Sequence, residues 1–392
     1  MNLTQKRFIK MNEKPLLVLL NEGTRGHLVQ SRGIRDRMCE LTSLESVEFE
    51  VPHLTGFDKI RYVKFHSKKL SKASTHFIDL WLKKAGAEKI VDQIAMLNPK
   101  GRQILFMSAG STAAPYCLAL ARRFGGKSCV IMTPSILGVK PFDMAIVPKH
   151  DGRSGPNVLV TLGAPNSICP ALLEEQEKEL LSDYPAHHKE AWGILIGGDD
   201  LNYTIAPLWV NKVLPTLLEA AEGADVDLYI TTSRRTQAAA ENAIVKICSG
   251  NPRVRMLLLA SQDPRNPVPG ILGHCSRVFC TEDSVSMISE SVTAGLQVAA
   301  VTVGHHHGFK RLLQELTEYL VDTKILSTKC LWGVPRFNRM MEDFENQDFL
   351  TIVTPRNLIN DLARFLQRPA CRRTDFNEAA RAARWIIARW LS

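Results

Sequence analysis

Short apolar runs and amphipathic helix patterns alternate along most of the chain. Residues 15–23 form an apolar run that ends in glycine, and residues 26–41 follow it with helical spacing. Residues 103–110 form another such run, and the helix pattern after them stops at Gly125 and Gly126. Strands that alternate with helices in this way predict a parallel sheet covered by helices.

The pattern starts again after a polar segment. Residues 174–191 are rich in charged side chains and contain Pro185, which predicts a helix followed by a linker. An apolar run then leads into Gly197 and Gly198, and strand and helix patterns continue to residue 304. We therefore expect an α/β protein with two Rossmann-like domains, 1–180 and 181–370. The segment 371–392 has apolar positions at helical spacing and predicts one closing helix.

Composition excludes several classes of protein. The chain is 45% hydrophobic and has nine cysteines without C-x-x-C pairs, so neither a zinc site nor a disulfide framework is expected. No apolar run approaches the ~20 residues of a membrane span. The first residues lack the apolar centre of a signal peptide. We therefore expect a cytoplasmic protein, with peripheral attachment to the cytoplasmic face of a membrane as the alternative.

The net charge of +9 predicts an anionic partner. Residues 57–84 hold eight lysines and arginines, which are interleaved with five aromatic residues. Such a segment suits an anionic membrane surface, and a solvated helix face with aromatic residues in the core is the alternative. No recognised nucleic-acid-binding module is visible, so nucleic acid is not an expected partner.

Three loops of the second domain carry residue types that suit a diphosphate. The first has a glycine pair at a strand end, where the backbone can approach a bound group closely. The second has hydroxyls and two adjacent arginines, whose guanidinium groups match phosphate oxygens. The third has two serines at a helix start, where free N–H groups bind anions. The candidate ligands are Gly197, Gly198, Thr232, Ser233, Arg234, Arg235, Ser284 and Ser286.

Glu290 and a run of histidines complete this candidate site. Glu290 is a polar residue on an otherwise packed helix, and its carboxylate suits the hydroxyls of a sugar. The acids Glu282 and Asp283 are better explained as residues that the helix dipole favours. The three histidines from His305 onward cannot all face one metal from a loop, so no metal site is expected. His305 is expected at the sugar or phosphate end of the pocket.

The candidate catalytic residues lie in the first domain. His27 follows a glycine-containing turn, where a histidine can act as general base for a hydroxyl nucleophile. A helix cap or a hydrogen-bonded neutral histidine is the structural alternative. Asp151 lies in a polar loop between two later strands and is the second candidate base.

Six runs of sequence together resemble a known family. They are EGTRGHLVQSRGI, SAGSTAAPYCLALARR, FDMAIVPKHDGRSGPNVLVTLGAPN, LIGGDD, TTSRRT and TEDSVSMISE. These runs resemble the ELM-type mitochondrial fission family of plants and its bacterial relatives, which are regarded as GT-B glycosyltransferases. The resemblance implies a GT-B-like fold with two Rossmann-like domains facing each other across a donor–acceptor cleft. It also implies that the closing helix packs back on the N-terminal domain.

The run EGTRGH is also similar to the glycine-rich loop of the enzyme that adds N-acetylglucosamine to the peptidoglycan lipid intermediate. In that enzyme the loop histidine lies near the acceptor, and a glutamate on a helix contacts the donor ribose. The resemblance implies these roles for His27 and Glu290. Departures from the family at Thr24 and at residues 305–307 concern the sugar and the acceptor more than the fold.

Together these observations predict a metal-independent glycosyltransferase that requires no cofactor. A nucleotide-diphosphate sugar would be its donor substrate, and a lipid-linked or glycan acceptor of the cell envelope would receive the sugar. Two alternatives stay open at this point. One is a nucleotide-sugar epimerase with a similar fold, and the other is a membrane-surface adaptor without catalysis, as the plant relatives imply.

Overall fold

The computed structural model describes residues 14–98, 102–306, 308–327 and 330–391. The chain forms two compact units: unit 1 comprises Met1–Ser167 and Glu378–Ser392, and unit 2 comprises Ile168–Asn377. The chain therefore leaves unit 1 once, builds unit 2 as one continuous segment, and then returns.

Unit 1 contains a parallel sheet of six strands in the order β2-β1-β3-β4-β5-β6. The strands are β1 (Leu16–Asn21), β2 (Glu45–Glu50), β3 (Ile104–Ala109), β4 (Lys127–Ile131), β5 (Met144–Pro148) and β6 (Val158–Thr161). The helices are α1 (Arg25–Leu41), α2 (Thr75–Lys84), α3 (Glu88–Leu97) and α4 (Ala114–Phe124), and short α, π and 3₁₀ turns occupy residues 56–72. β3 is buried along its whole length, which explains why it reads as a continuous apolar run.

Unit 2 contains a second parallel sheet, in the order β10-β9-β7-β11-β12-β14. Its strands are β7 (Ala191–Ile196), β9 (Asp227–Thr232), β10 (Val254–Leu258), β11 (Arg277–Thr281), β12 (Gln297–Val301) and β14 (Leu350–Val353). A separate antiparallel pair joins β8 (Tyr203–Thr204) to β13 (Gly304–His305). The helices are α5 (Pro170–Asp183), α6 (Pro207–Ala224), α7 (Ala238–Cys248), α8 (Val268–His274), α9 (Val285–Thr293), α10 (Phe309–Asp322), α11 (Val334–Asn346) and α12 (Leu358–Leu366).

The order of the second sheet is that of a Rossmann fold. Counted along the chain, its strands run 3-2-1-4-5-6, so the order reverses between β7 and β11. In such sheets ligands bind outside the carboxyl ends of the strands at this switch point. A binding site is therefore expected at the loops that follow β7 and β11.

The last helix, α13 (Glu378–Trp390), belongs to unit 1. It packs on α1, and Ala382, Ala383 and Ile386 are fully buried in a core that includes Leu17 of β1. The buried carboxylate of Glu378 accepts the Leu162 N–H at 2.7 Å, which fastens the start of α13 next to the end of β6. The helix thus supplies part of the unit 1 core itself.

The boundary between the units lies at residue 167, whereas the sequence analysis set it at residue 180. The charged helix α5 packs against α8 within unit 2. Gly270 and Gly273 allow this, because a Cβ at either position would press into the α5 backbone. Close helix packing at glycine needs few large apolar side chains, so the composition of α5 did not reveal it.

Asp227 fastens the chain between α5 and β7 to unit 2. Its buried carboxylate accepts the backbone N–H groups of His187 and His188 at 2.6 and 2.8 Å, and His188 Nδ1 lies 2.7 Å from it. Burial on its own would raise the pKa of Asp227. The hydrogen bonds from His188 and His187 outweigh burial and lower the pKa below the ordinary value of 3.8.

We expect Asp227→Asn to lower the free energy of unfolding by about 1 kcal/mol at neutral pH. A depressed carboxyl pKa contributes stability above the unfolded-state value, and this contribution is lost as the pH falls through the folded-state value. Urea unfolding of both proteins from about pH 7 downward should therefore show the difference shrinking. Asp92→Asn, at an exposed aspartate on α3 of unit 1, is the control. A difference for Asp227→Asn that stays constant with pH would contradict the prediction.

Candidate functional site

Three loops of unit 2 meet at the carboxyl ends of β7, β9 and β11. The Gly197 N–H donates to Thr281 Oγ1 at 2.7 Å, and the Gly198 N–H donates to Asp283 at 2.9 Å. Arg235, in the loop after β9, donates from Nη1 to the Gly198 carbonyl at 2.8 Å. The structure thus brings the glycine pair, the arginine loop and the start of α9 into direct contact.

The glycine pair is required by neighbouring groups of the chain itself. A Cβ at Gly197 would overlap the carboxylate of Asp283, and a Cβ at Gly198 would overlap the backbone of Arg235 and Thr236. The close approach that the sequence predicted at these glycines is therefore present. The groups that approach belong to the other two loops, so the glycines allow the loops to assemble.

The two adjacent arginines have different environments. Nη2 of Arg235 lies 2.8 Å from the carboxylate of Asp283, whose side chain is fully buried. Arg234 is exposed and forms no hydrogen bond or ion pair within the part of the chain that the structure describes. Arg234 is therefore available to an outside anion, whereas Arg235 already uses Nη1 and Nη2 within the chain and has a side chain that is 39% exposed.

Asp283 links the loops of the site, a role that the helix-dipole interpretation did not foresee. One carboxylate oxygen accepts from Gly198 and Arg235, and the other, Oδ1, is buried without a hydrogen-bond partner among the described atoms. Burial raises the pKa of Asp283, although Gly198, Thr281 and Arg235 act in the opposite direction. In the sequence, the sign of this role was an acid placed two residues after the end of a buried strand.

The start of α9 offers N–H groups and a polar face. The first N–H groups of a helix have no acceptor within the helix, and Ser284, at the N-cap, makes no capping hydrogen bond to them. Ser286 is exposed and Glu290 is half-buried. These two residues are four positions apart and therefore lie on one helix face. A ligand at the helix start can reach both.

Thr232 and Ser233 support the loops. The Thr232 hydroxyl donates to Glu241 at 2.7 Å and accepts the Ala260 N–H at 2.9 Å. The Ser233 hydroxyl accepts the Arg235 N–H at 3.3 Å. Both hydroxyls have hydrogen-bond partners within the chain, so these two predicted ligands hold the loops of the site in place.

A cavity of about 580 Å³ lies at the carboxyl ends of β12 and β14 and extends to Glu282, the residue before Asp283. His305 lies at its edge, with Nε2 3.4 Å from Glu282 Oε1, and His307 lies outside the described residues. The polar and aromatic side chains of its lining are Trp209, Glu282, Thr302, His305, Asn338, Glu342, Thr354 and Arg356. Carboxylate, amide and indole groups around a concave space suit a ligand with several hydroxyls.

In unit 1 a carboxylate holds His27, and sequence reasoning missed it. His27 Nδ1 lies 2.7 Å from Glu22 Oε1. The other Glu22 oxygen accepts the N–H groups of Thr112 and Ala113, just before α4, at 3.1 and 3.2 Å. Gly110 has a φ of +85°, and a Cβ there would press into the His27 ring. The sign in the sequence was an acid directly after β1, five residues before the histidine.

This pair has the chemistry of a general base. Burial raises the pKa of Glu22, but the hydrogen bond from His27 and its charge outweigh burial, and the net pKa is lowered. An ionised carboxylate accepts a hydrogen bond from Nδ1–H, which leaves Nε2 of the neutral imidazole as the proton acceptor. The His27 side chain is 24% exposed, so it is accessible from solvent. A carboxylate that orients an imidazole in this way prepares it to take a proton from a hydroxyl.

Asp151, the second candidate base, lies in a 3₁₀ turn directly after β5, where its side chain is 13% exposed. In the sheet, β3 and β4 separate β1 from β5. Three strand spacings put the ends of β1 and β5 about 14 Å apart. His27 and Asp151 are therefore alternatives rather than parts of one dyad.

Residues 14–98, 102–306, 308–327 and 330–391 contain neither a metal cluster nor a membrane-spanning helix. No group of three or more His, Cys, Asp or Glu side chains there is arranged to hold a metal ion. No helix in these ranges is both long enough and apolar enough to cross a membrane.

The chain matches one protein family and is similar in structure to several solved proteins. A family described as Mitochondrial fission ELM1 matches residues 26–327, while no curated protein matches the chain. A candidate UDP-N-acetylglucosamine 2-epimerase from Listeria monocytogenes is 12% identical, with a TM-score of 0.52 and 95% of each chain covered. A UDP-glucosyltransferase from Polygonum tinctorium is 9% identical, with a TM-score of 0.45 and coverage of 97% of this chain and all of that one. The likeness to the Listeria structure, together with the two parallel sheets of six strands, shows a GT-B fold with two Rossmann-like units.

Proposed function

The chain belongs to the mitochondrial fission ELM1 family, and we propose that it is a glycosyltransferase that uses a nucleotide-diphosphate sugar. The observation that carries the proposal is the meeting of three loops at the switch point of the second sheet. There the start of α9 and the exposed Arg234 offer positive charge to an anion. Anions are favoured at such a helix start, since its N–H groups and dipole both point at the ligand.

In this proposal unit 2 binds the donor. Arg234 and the first-turn N–H groups of α9 stabilise the negative charge that develops on the departing diphosphate. Glu290 accepts hydrogen bonds from the ribose hydroxyls. The sugar enters the cavity beside Glu282 and His305, whose volume of about 580 Å³ leaves room for it.

Unit 1 supplies the base. His27, oriented by Glu22, takes the proton of an acceptor hydroxyl while the hydroxyl oxygen bonds to the anomeric carbon of the sugar. The bond between that carbon and the diphosphate breaks, and the diphosphate leaves with the electron pair. The acceptor is a lipid-linked or glycan molecule of the cell envelope. Asp151 is the second candidate for the base.

The epimerase alternative has less support, because two of its three candidate carboxylates, Asp199 and Asp200 but not Asp151, accept hydrogen bonds within their own loop. Asp199 accepts the Thr204 hydroxyl and the Ile205 N–H, at 3.1 and 2.9 Å. Asp200 accepts the backbone N–H groups of Asn202 and Tyr203, at 2.6 and 2.9 Å. Both carboxylates hold the turn after β7, so neither is ready to exchange protons with a sugar.

We expect at least one of the UDP-, GDP-, CMP- and dTDP-sugars to raise the melting temperature of the protein, because a ligand stabilises the state it binds. Arg234→Ala should weaken that binding by about 10- to 100-fold, the worth of a charged hydrogen bond to phosphate. The melting temperature without ligand should not change, since Arg234 is exposed. Thermal shift and calorimetric titration measure both quantities.

Arg384→Ala is the matched control, because Arg384 is an exposed arginine of unit 1. It should leave nucleotide-sugar affinity unchanged. Equal affinity in the wild type and in Arg234→Ala would remove the donor assignment. If none of the nucleotide sugars binds, the adaptor interpretation becomes the better one.

A further inference from the structure

Residues 56–72 of unit 1 are anchored from one side. Tyr62, Val63 and Leu70 are buried in the unit 1 core. The indole N–H of Trp81, on α2, donates to the Tyr62 carbonyl at 3.2 Å, and the Ser67 hydroxyl donates to the Val63 carbonyl. These contacts fix the backbone of the segment, so its remaining side chains form a defined outer surface.

The outer surface carries large apolar side chains. Phe57, Ile60 and Phe65 have 73%, 43% and 63% of their surface exposed, and Leu80 on the neighbouring α2 has 47%. Single exposed apolar residues are ordinary, whereas several large ones on one short segment mark an interaction site. We name the surface formed by residues 57–72 and Leu80 the outer face.

The outer face is also strongly cationic. Residues 56–72 contain six lysines and arginines against one aspartate, Asp58. Lys64, Lys68, Lys69 and Lys72 are exposed, and none has an ion-pair partner within the described ranges of the chain. The cations therefore remain available to an outside partner that carries dense negative charge.

An anionic bilayer fits both properties of the outer face, and we propose that unit 1 docks there on a membrane surface rich in anionic lipid. Phe57, Ile60 and Phe65 enter the boundary between headgroups and acyl chains, and the surrounding lysines meet lipid phosphates. Single-stranded nucleic acid fits less well, because bases stack on aromatic rings, and beside Phe57 and Phe65 the outer face exposes the aliphatic Ile60 and Leu80. This proposal stands independently of sugar transfer.

Co-sedimentation of the full-length protein with vesicles tests the proposal. Binding is expected to vesicles of phosphatidylcholine with about 30% phosphatidylserine, to be weak to phosphatidylcholine alone, and to weaken as salt rises. The triple variant Lys64→Gln, Lys68→Gln, Lys69→Gln should bind about 100-fold more weakly, because each lysine contributes on the order of 1 kcal/mol and 1.4 kcal/mol is tenfold. The pair Phe57→Ser, Phe65→Ser should also weaken binding, and its remaining binding should keep the salt dependence.

A second exposed apolar helix face provides the control. Leu312 and Leu316 on α10 of unit 2 are 61% and 52% exposed. Changing both to serine should leave vesicle binding unchanged. All substituted residues are exposed, and circular dichroism with a melting curve checks that each variant is folded. Loss of binding in the α10 variant but not in the outer-face variants would overturn the proposal. Binding of a single-stranded oligonucleotide through the same lysines, without vesicle binding, would overturn it as well.

Discussion

Replacing His27 by Asn is expected to slow sugar transfer by about 10²- to 10⁴-fold, the usual contribution of a general base. An asparagine amide can still donate to Glu22, so the turn around it should keep its shape. Nucleotide-sugar affinity should stay the same, because His27 belongs to unit 1 and the proposed donor loops belong to unit 2. Initial rates and calorimetric titration separate the two effects.

Glu22→Gln tests whether the carboxylate positions the imidazole. We expect a loss of about 10²-fold in kcat with little change in KM, because the acceptor still binds but meets a poorly oriented base. The ¹⁵N resonances of the His27 ring report the tautomer directly. They should show the Nδ1 proton in the wild type and a mixture in the variant, whether or not a substrate is known.

Glu40→Gln provides the control for this pair of substitutions. Glu40 lies on α1, as His27 does, but its side chain is 56% exposed and pairs with Arg37. It should change neither the rate nor the His27 resonances. Full turnover in His27→Asn would show that His27 is not the general base. Asp151→Asn would then be the next variant to measure. An unchanged tautomer in Glu22→Gln would reduce Glu22 to a loop anchor.

The second large effect is expected at Arg235. Arg235→Ala leaves Asp283 buried without its counter-charge and should lower the free energy of unfolding by about 2–3 kcal/mol. The value is below that of a fully enclosed pair, because the Arg235 side chain is 39% exposed and solvent screens part of the interaction. Arg235→Ala combined with Asp283→Asn should recover part of the loss, since no charge is then left behind.

This loss should depend on pH. Burial raises the pKa of Asp283 in the folded protein, so the folded state holds its proton more tightly than the unfolded state does. The stability that protonated Asp283 contributes is therefore lost as the pH rises. Without Arg235, the free energy of unfolding falls more steeply with pH. Urea unfolding should give a larger difference between wild type and Arg235→Ala at about pH 8 than at about pH 5.

Arg234→Ala is the matched control, because it makes the same substitution at the neighbouring arginine, whose side chain is exposed. It should change stability by no more than about 0.5 kcal/mol. Equal losses for the two arginines would contradict the different environments described for them. The two variants thus separate binding from folding, because one is expected to affect only the ligand and the other mainly the fold.

The fold was largely predictable from the sequence. The apolar run at 15–23 became β1, and the restart of the pattern after residue 191 became the second parallel sheet. The predicted α/β class with two Rossmann-like halves is confirmed. Strands that are buried on both faces of a parallel sheet have continuous apolar sequences. Each strand can therefore be predicted from its own residues. The structure divides the chain at residue 167, and α5 packs in unit 2 through glycines of α8 rather than through large apolar residues of its own.

The sequence predicted which loops form the candidate site, but not which residues of those loops contact each other. Arg234 and Arg235 are indistinguishable in sequence, and what separates them is the burial of Asp283, 48 residues further along the chain. The aromatic residues of 57–84 divide in the same way, since Trp81 is buried and Phe65 is 63% exposed. Which side of a segment faces inward depends on partners that are distant in sequence, and no local pattern records them.

The late return of α13 to unit 1 has a consequence for biosynthesis. On the ribosome, unit 2 emerges as an uninterrupted stretch and can fold as soon as residue 377 is free. Unit 1 must wait for residues 378–390, and until then Leu17 and Ile34 lack part of their covering. Nascent chains that stall shortly before the last helix should therefore be the species that chaperones hold and proteases remove.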